Sequence, residues 1–395
     1  MPRLLDGVRI LEITRMLSGP YCGILLGDLG AEMIKIEQPG TGDPMRIMPP
    51  VMGETMAAYY VAINRNKKSI TLDLKKPEGK EVFYRLVAES DVVLDNFRAG
   101  VLKNLGIDYQ SLRHKNPRII SASVSGFGEA GPYKDHPAFD LIFQALSGAM
   151  SITGEPGRAP SRLGVPVGDT VGAMLCAQGI CAALYRREKT GEGERVEVNL
   201  LDAMVSQLTY MAQYYFYDGR QPGRLGSGHQ TVVPYQAVKC EDDYIVIAVF
   251  VDKFWANFCK VLGIDELTDD ERFKNNRLRV ENRDELTPTI EKKFLEKPAA
   301  FWIEKLRGVG VPCAPIQTIA QVAEDPQVLH DNMIVEIDVP GHGKMKTLGR
   351  PIKVLGDEET FSPPPMLGEH TDETLKSLGG YTDEEINSLR QKGVI

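Results

Sequence analysis

The chain has 395 residues, of which 43% are hydrophobic, and a formal net charge of -8. This length and composition are sufficient for a large buried core and for two domains. The mild negative charge argues against nucleic acid or an anionic membrane as the main partner, so a small anionic ligand would need a local basic patch.

The first two hundred residues alternate strand-like with helix-like segments, which predicts an α/β fold with a parallel sheet covered by helices. A helix is expected to begin near Pro20, and the basic segment 64–80 holds a short strand followed by the start of another helix. The other strands of this sheet are predicted at residues 8–13, 31–37, 91–96 and 119–126.

The residue pattern in the middle of the chain predicts two helices followed by a last strand and helix. The two helices are predicted at residues 138–152 and 170–191, and the second is rich in the small residues that close packing requires. Gly191 is expected to end this second helix. Residues 193–208 then form the last strand and helix, and a strand pair follows at 235–250.

These elements divide into two predicted domains. The large domain comprises residues 1–205, and residues 330–395 return to it. Residues 206–224 form a linker, and residues 225–325 form a smaller α+β domain. The segment 326–395 contains the connection back and the C-terminal part of the large domain.

Cysteine usage and hydropathy indicate the compartment. The six cysteines are scattered, without C-x-x-C or Cys/His clustering, so neither a disulfide framework nor a metal site is expected. Asp6 and Glu12 interrupt the N-terminal apolar run, which favours a first strand over a signal peptide. No segment approaches the roughly 18 uninterrupted apolar residues of a membrane span. We therefore expect a cytoplasmic protein with no membrane partner.

The opening strand-helix-strand unit is compatible with a dinucleotide-binding site, because Glu37 ends the second strand where a ribose-binding acid would lie. The loop TRMLSGPYCG lacks the G-x-G-x-x-G fingerprint, however, so NAD is not expected. What remains is the general expectation that an open α/β sheet binds its ligand outside the carboxyl ends of its strands.

Cations in this region have two interpretations. If they converge on one edge of the sheet, they form a phosphate-binding surface. The residues concerned are Arg15, Arg46, Arg98, Lys67, Lys68 and Lys75. The alternative is a solvated helix face. Its members would be Lys67, Lys68, Lys76 and Lys80.

Asp169, in the stretch GVPVGDTVGAML, is either a cap or a catalyst. Asp is a favoured N-cap, and the residues after it start a helix. A carboxylate at a helix N-terminus is also stabilised by the helix dipole, and Gly168 and Gly172 leave space for a substrate. At this stage the two roles are compatible.

The stretch RLGSGHQ, residues 224–230, lies between the predicted domains. It is either a flexible hinge or a loop whose backbone N–H groups face a reacting carbonyl. His229 within it is interpreted as structural and not as a base.

Several motifs, in chain order, resemble one family. They are LDGVRILEITRMLSGPYCGILLGDLGAEMIKIEQPGTGDPMR, NRNKKSITLDLKKPEGKE, DVVLDNFRAGVLKNLGIDYQSL, NPRIISASVSGFGEAGPYKDHPAFD, TGEPGRAPSRLGVPVGDTVGAM, KTGEGERVEVNLLDA and LGEHTDETLKSLGGYTDEEINSLRQKGV. Together they cover essentially the whole chain. The sequence resembles the class III coenzyme A transferases, the formyl-CoA transferase and carnitine CoA-transferase family of the CaiB/BaiF type.

The resemblance implies a fold and a reaction. In that family two subunits interlock like chain links, each with a Rossmann-like large domain built from both chain ends and a smaller domain between them. The catalytic aspartate of the family falls on Asp169, which favours a nucleophile that also caps its helix. A homodimer would then move CoA reversibly from an acyl-CoA to a carboxylic acid, through an aspartyl anhydride and an aspartyl-CoA thioester.

The resemblance also implies binding residues. Developing oxyanions would be met by backbone N–H groups of a glycine loop, formed by Gly226, Ser227 and Gly228. CoA or acyl-CoA enters as substrate, with neither NAD nor a metal. The CoA contacts of the family carry over to Arg15, Met16, Leu17, Ser18, Gln38, Leu72, Lys75, Asn96, Phe97, Arg98, Asn104, Phe139 and Asp140.

Some positions depart from the family pattern. Gln38 stands where many members have an arginine near the adenosine phosphate, so Arg46, Lys75 or Arg98 would have to supply that charge. Asn104 likewise lacks the basic side chain of the formyl-CoA branch.

The same branch has a tryptophan where this chain has Met48, and a run of glycines where this chain has GSGHQ. These differences argue against oxalate. RLGSGHQTVVPYQAVK resembles the branch that handles succinyl-CoA and other dicarboxylates.

Two rival functions remain open from the sequence. An α-methylacyl-CoA racemase of the same fold would need a histidine at the position of Phe139, and His136 is three residues away. A non-catalytic CoA-binding subunit of a heteromeric transferase is disfavoured by the retention of Asp169 and the glycine loop.

Overall fold

Strands and helices alternate through the first two hundred residues of the computed structural model, which describes residues 3–52 and 56–395. The strands are β1 (Arg9–Glu12), β2 (Glu32–Glu37), β3 (Val51–Met52), β4 (Met56–Ala57), β5 (Lys67–Thr71), β6 (Val92–Asp95), β7 (Ile120–Ser125), β8 (Arg195–Asn199), β9 (Tyr235–Lys239), β10 (Tyr244–Ala248), β11 (Cys313–Pro315), β12 (Ile334–Val339) and β13 (Gly343–Leu348). The helices are α1 (Ser18–Gly27), α2 (Ala58–Ile63), α3 (Pro77–Ala88), α4 (Val101–Leu105), α5 (Tyr109–Lys115), α6 (Asp140–Leu146), α7 (Val167–Thr190), α8 (Leu200–Ser206), α9 (Thr209–Asp218), α10 (Asp252–Leu262), α11 (Asn276–Glu281), α12 (Arg283–Phe294), α13 (Ala299–Gly308), α14 (Ile319–Val322), α15 (Pro326–His330), α16 (Thr371–Ser377) and α17 (Asp383–Gln391).

The central sheet is parallel and has the strand order β5-β2-β1-β6-β7-β8. Val92, Val93 and Leu94 of β6 are all completely buried. A central strand covered on both faces carries such a continuous apolar run, in contrast to the alternating pattern of a half-exposed strand. The predicted α/β fold with a parallel sheet is confirmed.

Helix α7 packs against α1, α6 and α8 and against strands β7 and β8. Close packing explains its small residues, because a Cβ atom on Gly179 would lie 2.8 Å from a methyl carbon of Val196. Gly191 follows the helix with a φ of 74°, as predicted for a C-terminal glycine. By length and composition, α7 is the one helix among the described residues that could cross a membrane, a test that core helices of soluble proteins also pass.

The chain separates into two compact units. The first unit contains the parallel sheet and comprises residues up to Ser147, Gly164–Leu208 and Pro326–Ile395. Within it, the C-terminal tail is bonded to strand β5, since Thr71 N donates to Thr371 Oγ1 at 3.0 Å.

The second unit comprises Gly148–Leu163 and Thr209–Asp325. Its antiparallel sheet has the order β11-β10-β9, and the predicted strand pair forms β9 and β10. An aromatic cluster that includes Trp255, Phe258 and Phe294 lies in its core. The stretch expected to be a linker contains α9.

A cluster of buried charges lies inside the parallel sheet. Glu12 at the end of β1 forms ion pairs with Lys35 (3.2 Å) and Lys67 (2.9 Å), and Lys35 also pairs with Asp43 at 3.0 Å. The side chains of Glu12, Lys35 and Lys67 have no exposed surface. Burial lowers the pKa of Lys67 to about 8. Lys67 and Lys68 belong to strand β5, so their assignment to a solvated helix face is wrong.

Removal of the central carboxylate of this cluster should destabilise the fold. We expect Glu12→Gln to lower the free energy of unfolding by about 3–5 kcal/mol, because the buried ammonium group of Lys67 loses the carboxylate it pairs with and that of Lys35 keeps only Asp43. Urea denaturation of the wild type and the variant measures this loss.

Glu81→Gln is the matched control, since Glu81 forms an exposed helix pair with Arg85 at 3.1 Å. An exposed pair of this kind contributes only about 0.3–0.5 kcal/mol. Equal losses in the two variants would contradict a special role for the buried cluster.

Candidate active site

A cleft of about 440 Å³ opens at the carboxyl ends of β1, β2, β5 and β6 in the first unit. This is the edge of the sheet at which a ligand was expected. The cleft brings together six of the residues predicted to contact CoA. They are Arg15, Gln38, Leu72, Lys75, Phe97 and Asn104.

The loop between β1 and α1 is held by two side chains from elsewhere in the sheet. Asn96 accepts a hydrogen bond from Arg15 N at 2.9 Å and donates one to Arg15 O at 2.7 Å. Asp43 accepts a hydrogen bond from Met16 N at 3.3 Å. Met16 has a φ of 66°, a left-handed conformation that costs free energy in a non-glycine residue, so these bonds fix a strained loop beside the cleft.

The predicted cations differ in their availability. Arg46 is 2% exposed and pairs with Glu37 at 2.6 Å, so the proposal that it binds a phosphate is wrong. The carboxylate of Glu37 is occupied by the same ion pair. Arg15 and Lys75 line the cleft, and no ion-pair partner is found for either among residues 3–52 and 56–395. Arg98 is exposed in the segment that follows β6 and is not part of the cleft lining.

Asp169 is the third residue of α7, and Pro166 occupies the N-cap position. The predicted capping role of Asp169 is therefore wrong. Asp140 takes that role, since its Oδ1 accepts a hydrogen bond from Gly168 N at 2.8 Å while its Oδ2 accepts one from Gln144 at 2.5 Å. Within the part of the chain that the structure describes, the carboxylate of Asp169 has neither a hydrogen bond nor an ion pair.

The surroundings of Asp169 favour its neutral form. Burial, and then the negative charge of Asp140, raise the pKa of the Asp169 carboxyl from 3.8 to about 7. A shift of this size corresponds to about 4 kcal/mol, whereas a helix dipole stabilises a carboxylate by only about 0.3–1 kcal/mol. Desolvation and the neighbouring charge therefore outweigh the dipole.

Tyr59 shares this electrostatic environment. Burial, together with the charges of Asp169, Asp43 and Asp140, raises the pKa of Tyr59 to about 12. The phenol therefore stays protonated at neutral pH and is available as a hydrogen-bond donor. Asp43 lines the cleft, so a charge of the cleft and the charge of Asp169 both act on Tyr59.

The glycine loop, formed by residues 226–228, lies in the second unit. Gly226 N donates to Gly154 O at 2.9 Å, and Gly228 N donates to Leu225 O at 2.8 Å. The prediction that Gly226 and Gly228 offer free N–H donors is therefore wrong for this conformation. No acceptor for Ser227 N is found among the described residues, so the loop offers this one N–H group.

The remaining predicted contacts lie at helix starts and loops. Ser18 is the buried first residue of α1, and Leu17 precedes it at the N-cap position. Phe139 precedes α6 and is 68% exposed, while His136 is exposed and stacks on Tyr133. No group of three or more potential metal ligands occurs among the described residues.

Comparison with known proteins identifies the family. The chain matches the family model described as CoA-transferase family III over residues 5–371. This chain belongs to CoA-transferase family III. The family and the enzyme class predicted from the sequence are thereby confirmed.

Named relatives of this family III chain are similar over almost their whole length. It is 38% identical over 392 residues to succinyl-CoA:glutarate CoA-transferase of Homo sapiens, covering 99% of this chain and 90% of that protein. It is 38% identical over 388 residues to succinyl-CoA:mesaconate CoA-transferase of Haloarcula hispanica, covering 95% of this chain and 96% of that protein.

A solved structure shares the fold. The crystal structure of a CAIB/BAIF family protein from Brucella suis superposes with a TM-score of 0.85 at 38% identity. The similarity covers 96% of this chain and 100% of that chain.

Sequence reasoning missed two groups near the candidate site. Asp43 and Tyr59 carry no motif of their own, and their importance depends on contacts that only the folded chain provides. A weak signal for Asp43 was available, because Asp followed by Pro is typical of a helix start, and Asp43 does cap a short 3₁₀ turn by accepting from Met45 N.

The Asp169 carboxyl should make stability depend on pH. A carboxyl whose pKa is raised in the folded state loses stability as pH rises from the unfolded value, near 4, to the folded value. We expect Asp169→Asn to be more stable than the wild type at pH 8, with a difference that is larger by about 2–3 kcal/mol at pH 8 than at pH 5. Urea denaturation at both pH values provides the measurement.

Asp383→Asn serves as the control for this pH effect, because Asp383 also lies in the first turn of a helix but is 72% exposed. Its difference from the wild type should not grow with pH in the same way. A constant difference for Asp169→Asn would show that the site carboxyl titrates normally.

Proposed function

We propose that this chain moves CoA from an acyl-CoA to a carboxylic acid through covalent intermediates on Asp169. The observation that carries the proposal is the carboxylate of Asp169, which is half-buried, lacks a partner in the described chain and has a raised pKa. Side chains whose pKa is strongly shifted by burial and by a specific neighbouring charge, as Asp169 is by Asp140, are candidates for catalysis. The family supports the same assignment.

The first half-reaction consists of two displacements. An Asp169 oxygen attacks the thioester carbonyl carbon, the carbon–sulfur bond breaks, and CoA leaves as a thiolate while a mixed anhydride forms. The thiolate then attacks the Asp169 carbonyl carbon, and the donor acid leaves as a carboxylate. This leaves an aspartyl-CoA thioester, so the acyl activation is retained without ATP.

The second half-reaction reverses this order with another acid. The acceptor carboxylate attacks the aspartyl thioester and expels the CoA thiolate, which then attacks the acceptor carbonyl of the new anhydride and releases Asp169 as a carboxylate. Each tetrahedral intermediate develops an oxyanion. The protonated Tyr59 is a candidate donor for these oxyanions.

Succinyl-CoA is the proposed donor, and a dicarboxylic acid is the proposed acceptor. Two relatives at 38% identity are named for succinyl-CoA with glutarate and with mesaconate, which supports this choice. In the cleft, Arg15 and Lys75 are the cations available for the phosphates of CoA.

Trapping of the acyl-enzyme tests the role of Asp169. We expect succinyl-CoA followed by hydroxylamine or borohydride to modify the peptide that contains Asp169, because both reagents react with activated carboxyl groups. Intact-protein mass spectrometry and peptide mapping provide the readout.

In the same experiment Asp169→Asn should show no modification, and Asp383→Asn should be modified like the wild type. Failure to trap any adduct in the wild type with a panel of acyl-CoAs, although CoA binds, would reject covalent catalysis by Asp169.

We further propose that the chain works as a homodimer. Helix α9 has no buried residue, although it carries Tyr215, Phe216 and Tyr217 with exposures of 47%, 72% and 86%. An aromatic surface of this kind is typical of a protein interface.

The oligomeric state should respond to charge on this surface. We expect the purified wild type to sediment as a dimer, and Phe216→Glu to shift the population towards monomer, because burial of an unpaired carboxylate is unfavourable. Analytical ultracentrifugation distinguishes the two, with Phe216→Leu as the apolar control. A monomeric wild type would reject the dimer.

A further inference from the structure

The carboxylate of Asp140 lies between helices α6 and α7 and is hydrogen-bonded on both sides. Its Oδ1 accepts a hydrogen bond from Gly168 N at 2.8 Å, and its Oδ2 accepts one from Gln144 Nε2 at 2.5 Å. Asp140 is 9% exposed and Gln144 is 1% exposed. These bonds fix the orientation of the carboxylate, because each oxygen is committed to a different donor.

Gln144 is a buried polar side chain on α6, one helical turn after Asp140. Residues at i and i+4 of a helix lie on the same face, which brings the amide of Gln144 to the carboxylate of Asp140. Burial of an amide is unfavourable unless its polar groups are bonded. Among the residues that the structure describes, no second donor reaches Oδ2 of Asp140, so this oxygen depends on Gln144.

Gly168 allows Asp140 to approach the start of α7 closely. A Cβ atom at this position would lie 3.0 Å from Asp140 Oδ1 and 3.2 Å from the Cγ atom of Met204. Contacts as short as these would require the neighbouring groups to move. The carboxylate is therefore held between the backbone of α7 on one side and the amide of Gln144 on the other.

The charge of Asp140 acts on Asp169. The elements packed against α7 are α1, α6, α8, β7 and β8. Of the titratable groups on these elements, Asp140 is the one whose charge raises the pKa of Asp169, after burial, and Tyr59 on α2 responds to both aspartates. The titratable side chains of the packed elements are Tyr21, Cys22, Asp140, Arg195, Glu197 and Asp202.

We propose that Gln144 is a positioning residue for CoA transfer, whose amide holds the Asp140 carboxylate charged and oriented towards Asp169. A hydrogen bond to the charged form of a carboxylate favours that form. Gln144 does not line the cleft, so it acts through Asp140 and not on CoA. The inference rests on the proposed function, since it names the residue that keeps the nucleophile of that function basic.

The pH dependence of kcat/KM for succinyl-CoA tests this role. In the wild type the value should rise with pH around a midpoint near pH 7, because kcat/KM reports the ionisation of Asp169 in the free enzyme. Gln144→Met removes the donor and keeps the length of the side chain. We expect it to lower the midpoint by about one pH unit, because a charge that raises the pKa of Asp169 is lost.

Gln144→Glu should retain the wild-type behaviour. Two carboxyl groups in hydrogen-bond contact share one proton, so the pair keeps both its bond and a negative charge. The midpoint should therefore stay at the wild-type value or rise. A wild-type midpoint in Gln144→Met, or a downward shift of equal size in Gln144→Glu, would overturn the inference.

Asn116→Leu is the matched control for the loss of an amide. Asn116 donates to Val87 O at 3.1 Å and to Ser90 O at 2.9 Å, and neither partner belongs to α6 or α7. This variant should leave the midpoint unchanged, and a shift as large as that of Gln144→Met would reject the assignment. Gln144→Asn, which withdraws the amide by one methylene, should shift the midpoint in the same direction and replaces Gln144→Met if that variant does not fold.

Urea denaturation provides a readout that needs no CoA transfer. The stability gained by Asp169→Asn should grow less between pH 5 and pH 8 in the Gln144→Met background than in the wild type, because the pKa of Asp169 is then closer to its unfolded value. If the wild type transfers no CoA and this growth is nevertheless smaller, the role of Gln144 stands and the transferase proposal fails. If the wild type is trapped at Asp169 but the growth and the midpoint are the same in both backgrounds, the role of Gln144 fails alone.

Discussion

The ion pairs of Glu12 with Lys35 and Lys67 determine the geometry at the carboxyl ends of the parallel strands. Burial of these charges is expensive, and in many proteins well-packed apolar residues of similar volume stabilise a core as well as a buried ion pair does. The contribution of these charges is to fix the positions of the groups that they bind. Lys35 holds Asp43 through one oxygen, and the other oxygen of Asp43 holds the strained backbone at Met16. The buried ion pairs inside the sheet thereby determine the shape of the cleft.

A second buried ion pair determines which cations are available to bind a ligand. Glu37 binds Arg46 through both carboxylate oxygens, and Arg46 also donates to the hydroxyl of Tyr60. The arginine is thus part of the scaffold, although its place in the sequence suggests a phosphate ligand. Arg15 and Lys75 line the cleft and keep their charges available there, whereas the charge of Arg46 is held by Glu37.

Local patterns were sufficient for most of the elements of the parallel sheet, because buried strands, small helix residues and Gly191 have signals within a few residues. Long-range pairings had no such signal. From its local sequence, Lys67 is predicted to be exposed. In the folded chain β5 pairs with β2, and Lys67 lies against Glu12, 55 residues away. The same limit applies to Gly226, whose N–H group is taken by a carbonyl of Gly154, more than seventy residues earlier in the chain.

Asp169 shows why the choice between cap and catalyst is exclusive in this fold. A carboxylate that accepts hydrogen bonds at a helix N-terminus has a lowered pKa, and its lone pairs are committed to the backbone. Such a group is a weak nucleophile. Asp140 closes the start of α7 from the neighbouring helix α6, so the helix is capped while the carboxylate of Asp169 has no hydrogen bond to any residue that the structure describes. The charge that Asp140 carries also raises the pKa of Asp169. One residue therefore fixes the helix that presents Asp169 and keeps the proposed nucleophile basic.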